Sequence, residues 1–179
     1  NLENLAFAYT ISKNLKINDS AILKALNKFE GLPHRQEIIL SNKFFTCIND
    51  SKATSFAASL QCLLNNNKIY WIVGGLPKFR DNFNNLNKVS KKIIKAYIIG
   101  TKPSFFVKKI GKKIPYKICL NIETAVQNIY SDIKNSRKTK NTIVFSPAAA
   151  SFDQFNNFED RGLHFKKVAT KKLKKISYV

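Results

Sequence analysis

Three segments of this 179-residue chain carry hydroxyls or paired glycines, and two of them also carry a lysine, residue types that suit binding of an anion. They are INDSKAT at 48–54, GGLPK at 74–78 and SPAAASF at 146–152. Each follows an apolar run, and the first and third precede stretches with helical periodicity. Free N–H groups and the helix dipole at a helix N-terminus attract negative charge. The alternative is that Ser51, Thr54 and Ser151 only cap helices. Convergence of all three segments on one sheet edge would favour a ligand site.

Other kinds of chemistry find little support in the sequence. Gly74-Gly75 matches neither the Walker A pattern nor G-x-G-x-x-G, so the chain has no phosphate cradle of its own. Cys47, Cys62 and Cys119 are odd in number, lack metal spacing and lie in apolar runs, which predicts buried, reduced thiols. The two histidines lack a Cys or carboxylate cluster, so no metal site is predicted.

The elements that must position these segments follow from the hydrophobic periodicity. The pattern over residues 1–28 predicts two helices, the second capped by Asn18 or Asp19. Gly31-Leu32-Pro33 interrupts this pattern and is the best candidate for a domain boundary. Beyond it, short apolar strands alternate with helical stretches. We predict strands at 37–40, 44–48, 69–73, 96–99, 117–120 and 142–145. We predict helices at 54–65, 84–94, 103–110 and 122–134, and a helical tail from Phe152 that is interrupted near Gly162.

This alternation predicts an α/β fold with an open, doubly wound, mostly parallel sheet, preceded by a short helical segment. In such sheets ligands bind beyond the carboxyl ends of the strands. The longest apolar runs are too short to cross a bilayer, so a transmembrane protein is excluded. The first ten residues lack the features of a signal peptide, and the chain has no Met. We therefore expect a cytoplasmic piece of a longer polypeptide.

The net charge is 31 − 11 = +20, which raises nucleic acid as a possible partner. Of the 31 basic residues, however, 27 are Lys and 4 are Arg. Lys, Asn, Ile and Phe are all encoded by A/T-rich codons, and a nucleic-acid site would favour Arg. Codon drift is therefore the preferred explanation. The same codon drift explains the lysine-rich stretch 166–175, which we expect to be a solvent-exposed helix face.

Five motifs, taken in order, resemble the Mur ligases of peptidoglycan synthesis, and above all those that add D-glutamate. They are GLPHR at 31–35, NDSKAT at 49–54, GG with Lys78, SPAAASFDQF at 146–155 and NFEDRG at 157–162. The resemblance covers nearly the whole chain. It implies the Rossmann-like third domain of such a ligase at 32–179. It also implies that residues 1–31 are the last helices of the central, ATP-binding domain.

The resemblance also implies roles for individual residues. The family phosphorylates the carboxylate of UDP-N-acetylmuramoyl-L-alanine with ATP, and the amine of D-glutamate attacks the acyl phosphate. Arg35 and Lys52 are the implied catalytic residues, acting on charge near the phosphates. Thr54, Lys78, Ser151, Phe152 and Phe158 are the implied D-glutamate site. Asn1, Asn4, Arg35 and Asp50 are the implied ATP contacts, and His34 at the hinge receives no role.

The family's P-loop, its carbamylated lysine and its magnesium ligands lie in upstream domains that this sequence does not include. We therefore expect ATP and Mg²⁺ to act only together with those domains, and the isolated chain to show no ligation. The segment Gly-Gly-Leu-Pro-Lys departs from the Gly-Gly-Asp-x-Lys of some relatives, so Lys78 could approach at another angle. Two alternatives stay open: a basic nucleic-acid-binding α/β domain, and a degraded, non-catalytic fragment.

Overall fold

Two helices form the first part of the chain, as their periodicity predicts. The computed structural model describes residues 2–135 and 139–178. The chain divides into two compact units, residues 1–31 and 32–179. In the first unit α1 spans Leu2–Asn14 and α2 spans Asp19–Lys28. Asn18 caps α2 by accepting a hydrogen bond from the Ala21 N–H at 2.8 Å.

The second unit is built on one six-stranded sheet. Its strands are β1 Glu37–Ser41, β2 Phe45–Asn49, β3 Ile69–Gly74, β4 Ile93–Ile99, β5 Tyr116–Leu120 and β6 Asn141–Phe145. The spatial order is β1-β2-β6-β3-β4-β5. β1 and β2 form an antiparallel hairpin, and all other neighbours are parallel. The predicted doubly wound, mostly parallel α/β sheet is therefore confirmed.

Helices cover both faces of this sheet. They are α3 Phe56–Leu64, α4 Asn87–Ser90, α5 Pro103–Ile110, α6 Ile122–Asn135 and α7 Phe158–Leu173, which continues as a 3₁₀ turn over Lys174–Tyr178. Alternate residues of β3 enter opposite cores: Trp71 and Val73 pack with α3, α4 and α5, whereas Tyr70 and Ile72 pack with α6 and α7. This alternation follows from the two-residue period of a strand, and it explains why β3 is apolar throughout.

Two sequence predictions about helices were wrong. The helix expected over 84–94 is the single turn α4, because Ile93 and Ile94 belong to β4, where Ile93 is buried. The interruption expected near Gly162 does not occur, and α7 runs through it. A Cβ at Gly162 would lie 2.3 Å from His34 Nδ1, so glycine serves close packing here.

The three cysteines are buried and unpaired, as predicted. Burial raises the pKa of the Cys47 and Cys62 thiols well above the ordinary value. Among the described residues, no helix combines the length and apolar character needed to cross a membrane.

Candidate ligand site at the carboxyl edge of the sheet

Three loops leave the carboxyl ends of three adjacent parallel strands. We call residues 50–55, after β2, the first loop; residues 75–81, after β3, the second loop; and residues 146–157, after β6, the third loop. β6 lies between β2 and β3 and pairs in parallel with both. The segments singled out in the sequence are therefore brought to one edge of the sheet, where ligands bind in this fold class.

The second and third loops pair through their backbones. Leu76 N–H donates to Ala150 O at 2.9 Å, and Ala150 N–H donates to Leu76 O at 3.0 Å. Gly75 makes this approach possible, because its φ is +131° and a Cβ on it would lie 2.4 Å from Ala150 O. The paired glycines therefore serve close approach between loops rather than a phosphate cradle.

A buried arginine joins the first and third loops. Arg161 is 1% exposed, and its Nε and Nη2 donate to Ser51 Oγ and Ser51 O at 3.1 and 2.8 Å. Its Nη1 donates to Ala149 O at 2.9 Å. Burial lowers the pKa of Arg161 to about 10, which leaves the guanidinium charged at neutral pH. A Cβ on Gly75 would lie 3.3 Å from Nη1, so Arg161 borders all three loops.

The second loop contacts the start of α3, which directly follows the first loop. Asp81 accepts a hydrogen bond from Phe56 N–H at 3.1 Å, and the rings of Phe56 and Phe83 stack with centroids 4.3 Å apart. The carboxylate of Asp81 lies at a helix N-terminus, where the dipole stabilises it. The second loop therefore contacts both the third loop and the start of the helix that follows the first loop.

Asp50 is the first residue of the first loop and is buried. It is 4% exposed, and its carboxylate accepts hydrogen bonds from Ser146 Oγ at 2.7 Å and from Gln36 N–H at 3.1 Å. Burial outweighs these bonds and the charge of Arg35, and it raises the pKa of Asp50 to about 6.

His34 is 6% exposed and fastens the same edge to α7. Its Nδ1 lies 2.9 Å from Asn49 Nδ2, and Asn49 Nδ2 also donates to Gly162 O at 3.2 Å. His34 O accepts from Lys52 N–H at 3.0 Å. His34, Gln36 and Ala148 have φ values of 60°, 51° and 57°, so three non-glycine residues adopt the left-handed region here. Such strain persists only where surrounding contacts hold it.

The residues predicted for D-glutamate are distributed over these loops. Thr54 is half-buried in the first loop, and Lys78 is exposed in the second. In the third loop Ser151 is 2% exposed, and the Phe152 side chain is 69% exposed. Phe158 begins α7, and its carbonyl accepts from Ser51 Oγ at 2.8 Å. The loops are together, and contact of these side chains with one ligand stays a prediction.

The hydroxyls of the three segments do not cap the helices. Ser55 caps α3 by accepting from Ala58 N–H, and Asn157 caps α7 by accepting from Asp160 N–H. The alternative that Ser51, Thr54 and Ser151 are the caps is therefore wrong. Thr54 and Ser151 remain placed for another partner.

The residues predicted to face ATP lie in several places. Arg35 and Lys52 are exposed, and Lys52 Nζ lies 5.6 Å from the centre of the Phe158 ring. Asn4 lies on α1 in the first unit. Asn1 lies outside the described residues. Among the described residues no group of three or more His, Cys, Asp or Glu side chains is arranged to hold a metal ion.

Sequence analysis assigned no role to Arg161, Asn49 and Ser146, although each lies in one of the five motifs. Ser146 O accepts from Trp71 Nε1 at 2.8 Å, while its hydroxyl holds Asp50. One signal for Arg161 was available, since it is one of four arginines among 31 basic residues. An arginine that persists in a lysine-rich chain marks a position where several directional hydrogen bonds are needed.

The fold is that of an α/β domain with a mostly parallel sheet, and the three loops form a candidate ligand site at a topological switch point of that sheet. No family model matches the chain. Among curated relatives, the UDP-N-acetylmuramoylalanine–D-glutamate ligase of Wolbachia sp. subsp. Brugia malayi is 39% identical over 165 residues, 92% of this chain and 33% of the relative. The ligase of the same name from Rickettsia felis is 33% identical over 99% of this chain and 39% of the relative. The ligase of the same name from Agrobacterium fabrum is 36% identical over 92% of this chain and 35% of the relative.

The chain belongs to the family of UDP-N-acetylmuramoylalanine–D-glutamate ligases and corresponds to the C-terminal part of such a protein. It spans about a third of the length of the curated relatives it matches. The resemblance expected from the five motifs is therefore confirmed.

Proposed function

We propose that this chain is the amino-acid-binding part of an ATP-dependent ligase that adds D-glutamate to UDP-N-acetylmuramoyl-L-alanine in the cytoplasm. The observation that carries this proposal is the convergence of the three loops on one sheet edge, in a chain of this family. Residues 32–179 are the domain that holds the incoming amino acid. Residues 1–31 are the end of the ATP-binding domain.

D-Glutamate is a dicarboxylate whose amine must be aimed at an activated carbonyl carbon. We assign the ammonium of Lys78 to one of its carboxylates, because the side chain is exposed and lies in the second loop. Thr54 and Ser151 lie outside the helix caps, which leaves their hydroxyls for hydrogen bonds to the same ligand. The backbone near Phe152 and Phe158 completes the site. Arg161 keeps the loops that carry these groups at fixed separation.

The phosphoryl side of the reaction falls to Arg35 and Lys52. ATP supplies the phosphoryl group that activates the substrate carboxylate. Both side chains are exposed cations beside Asp50, on segments that Gln36, His34 and Asp50 hold together through backbone hydrogen bonds. Their role is to stabilise negative charge while the phosphoryl group moves. Asp50 is assigned to the ribose, and Asn1 and Asn4 to the adenine side.

The magnesium ligands of the family lie upstream of the motifs that this chain resembles, and the described residues offer no group of three or more His, Cys, Asp or Glu side chains for a metal ion. We therefore assign Mg²⁺ and the phosphate cradle to the two thirds of the ligase that this chain does not span. The same assignment predicts that the 179 residues alone bind no Mg²⁺–ATP productively and catalyse no ligation.

A chimaera tests the proposal. Residues 1–179 replace the C-terminal third of the Agrobacterium ligase, and phosphate release is measured with UDP-N-acetylmuramoyl-L-alanine and ATP. We expect release that depends on D-glutamate and is absent with L-glutamate. The Lys88→Ala chimaera, altered at an exposed lysine outside the loops, should match the parent. A folded chimaera that releases no phosphate would support the degraded-fragment alternative instead.

A further inference from the structure

Two buried polar side chains meet where β2 and β6 end. Asn49 pairs with Phe145 in the parallel register, and Asp50 N–H donates to Phe145 O at 2.7 Å. Asp50 and Ser146 are the next residues of the two chains, and Ser146 Oγ donates to Asp50 Oδ2 at 2.7 Å. Ser146 begins the third loop, which carries residues assigned to D-glutamate, whereas Asp50 is assigned to the nucleotide. This hydrogen bond therefore joins two parts of the site that serve different substrates.

The backbone of Ser146 is held in place by the elements around it. Its carbonyl oxygen accepts from Trp71 Nε1 at 2.8 Å and from Ser59 Oγ at 3.3 Å. The next carbonyl, Pro147 O, accepts from Gly74 N–H at 2.9 Å. β3 and α3 therefore fix the residue that carries the hydroxyl. Since Ser146 is completely buried, bulk water does not replace that hydroxyl if it is removed.

The hydroxyl of Ser146 influences the charge of Asp50. A carboxylate offers about four lone-pair positions, of which Ser146 Oγ and Gln36 N–H occupy two and leave the others for a ligand. Burial raises the pKa of Asp50 to about 6, and the bonds from Ser146 and Gln36 and the charge of Arg35 limit this rise. The Cys62 thiol on α3 also interacts with Asp50, and it stays neutral because burial raises its own pKa. Without Ser146, Asp50 would retain its proton to a higher pH.

We propose that Ser146 is a positioning residue for nucleotide binding, whose hydroxyl keeps the Asp50 carboxylate oriented and charged so that it accepts hydrogen bonds from the ribose. The inference rests on the proposed function, which assigns Asp50 to the ribose. It places a residue of the third loop on the nucleotide side of the reaction. Hydrogen bonds to an ionised acceptor are about twice as strong as neutral ones, so a protonated Asp50 holds the ribose less tightly.

Steady-state kinetics of the active chimaera test this role. Ser146→Ala should raise the KM for ATP about 10-fold at about pH 6.5 and less than about 2-fold at about pH 8.5, because the higher pH removes the proton that Asp50 retains without the hydroxyl. The KM for D-glutamate should change less than about 2-fold at either pH. A merely structural role predicts the same loss at both pH values, or a loss for both substrates. Either result would overturn the proposal.

Ser59→Ala is the matched control. It removes an equally buried hydroxyl that donates to Ser146 O, and it leaves Ser146 Oγ and its bond to Asp50 in place. We expect an unchanged KM for ATP at both pH values. Ser146→Cys keeps a similar volume with a weaker donor and should fall between the parent and Ser146→Ala. An ATP defect in Ser59→Ala as large as that in Ser146→Ala would assign the effect to packing and overturn the proposal.

A titration without ligands separates this inference from the proposed function. In the 179-residue chain, carbon NMR of labelled aspartate carboxyl groups follows the titration of Asp50, whose signal Asp50→Asn identifies. Ser146→Ala should raise the pKa of Asp50 from about 6 to above about 7, and Ser59→Ala should not. An unchanged pKa in Ser146→Ala would overturn the inference whether or not the chimaera is active. A raised pKa with an inactive chimaera would support the role of Ser146 and count against the proposed function.

Discussion

Arg161 and Ser51 are 110 residues apart in the chain and are joined by two hydrogen bonds, one to the serine hydroxyl and one to its carbonyl oxygen. The third hydrogen bond of the same guanidinium goes to Ala149 O. One planar side chain therefore fixes the distance between the first and third loops. This is a task that the fork of arginine can perform and the single ammonium of lysine cannot.

Replacement of this guanidinium should be costly. We expect Arg161→Lys to lower the free energy of unfolding by about 2–4 kcal/mol, because buried carbonyl groups lose their donors. Arg80→Lys, at an exposed arginine, should change it by less than about 0.5 kcal/mol. Urea unfolding of both variants provides the measurement. Similar values for both would show that Arg161 holds nothing in place.

The close contact at Gly75 gives a second prediction. Gly75→Ala places a Cβ 2.4 Å from Ala150 O and should lower the free energy of unfolding by more than about 2 kcal/mol. Gly31→Ala is the control, because its φ is +89° but the space around it is open, so only the backbone cost of about 1 kcal/mol applies. Urea unfolding of both variants measures the two losses in free energy of unfolding. Equal losses for Gly75→Ala and Gly31→Ala would show that the close contact with Ala150 does not contribute to stability.

Lys78 should act on amino-acid binding. In the active chimaera, we expect Lys78→Ala to raise the KM for D-glutamate about 10- to 100-fold with little change in kcat, since a charge-assisted bond present in both ground and transition states is lost. Steady-state kinetics with varied D-glutamate make the measurement, with Lys88→Ala as the matched lysine. An unchanged KM would remove Lys78 from the site.

Arg35 should show the opposite kinetic pattern. Arg35→Ala should lower kcat by on the order of 10²-fold with a smaller effect on the KM for D-glutamate, because the side chain acts on charge that develops as the phosphoryl group moves. Arg35→Lys keeps the charge without the fork and should fall between. If Arg35→Ala raised only the KM for D-glutamate and left kcat unchanged, Arg35 would be assigned to the amino-acid site instead.

Asp50 predicts a dependence of stability on pH. Its pKa is about 6 in the folded chain against an ordinary value of 3.8, so between pH 3.8 and 6 the folded state binds more protons than the unfolded state. Its contribution to stability is therefore largest below about pH 4 and falls as pH rises through 6, by up to about 3 kcal/mol. The free energy of unfolding of the wild type and of Asp50→Asn, measured from pH 4 to 8, isolates the contribution of Asp50. The two variants would show the same pH dependence over this range if the pKa of Asp50 were not raised.

The local sequence was sufficient for most elements of this fold. The apolar runs located all six strands and the strand–helix alternation predicted the parallel sheet, because period and length suffice for these features. Periodicity failed at 84–94, where Ile93 and Ile94 could serve a helix or a strand and the neighbouring β3 decided between them. Gly162 looked like a break because its tight contact with His34 lies 128 residues away along the chain.

The ligand site was predicted only in part. The loops could be located, since parallel strands send their carboxyl ends to one edge. The roles of Arg161, Asn49 and Ser146 could not be predicted, although each lies in one of the five motifs, because their partners Ser51, Gly162 and Asp50 are 96 or more residues away along the chain. The raised pKa of Asp50 likewise depends on burial that only the folded chain provides.

The position of β6 has a consequence for how the protein is made. β2 and β3 flank β6 and depend on it for pairing, yet β6 begins only at Asn141. While the ribosome is still adding residues 50 to 140, the strand pair formed by β3 and β4 can assemble, but the edge that carries the three loops cannot. The nascent domain therefore exposes two open strand edges until its last quarter is synthesised, a period in which aggregation or chaperone capture competes with folding.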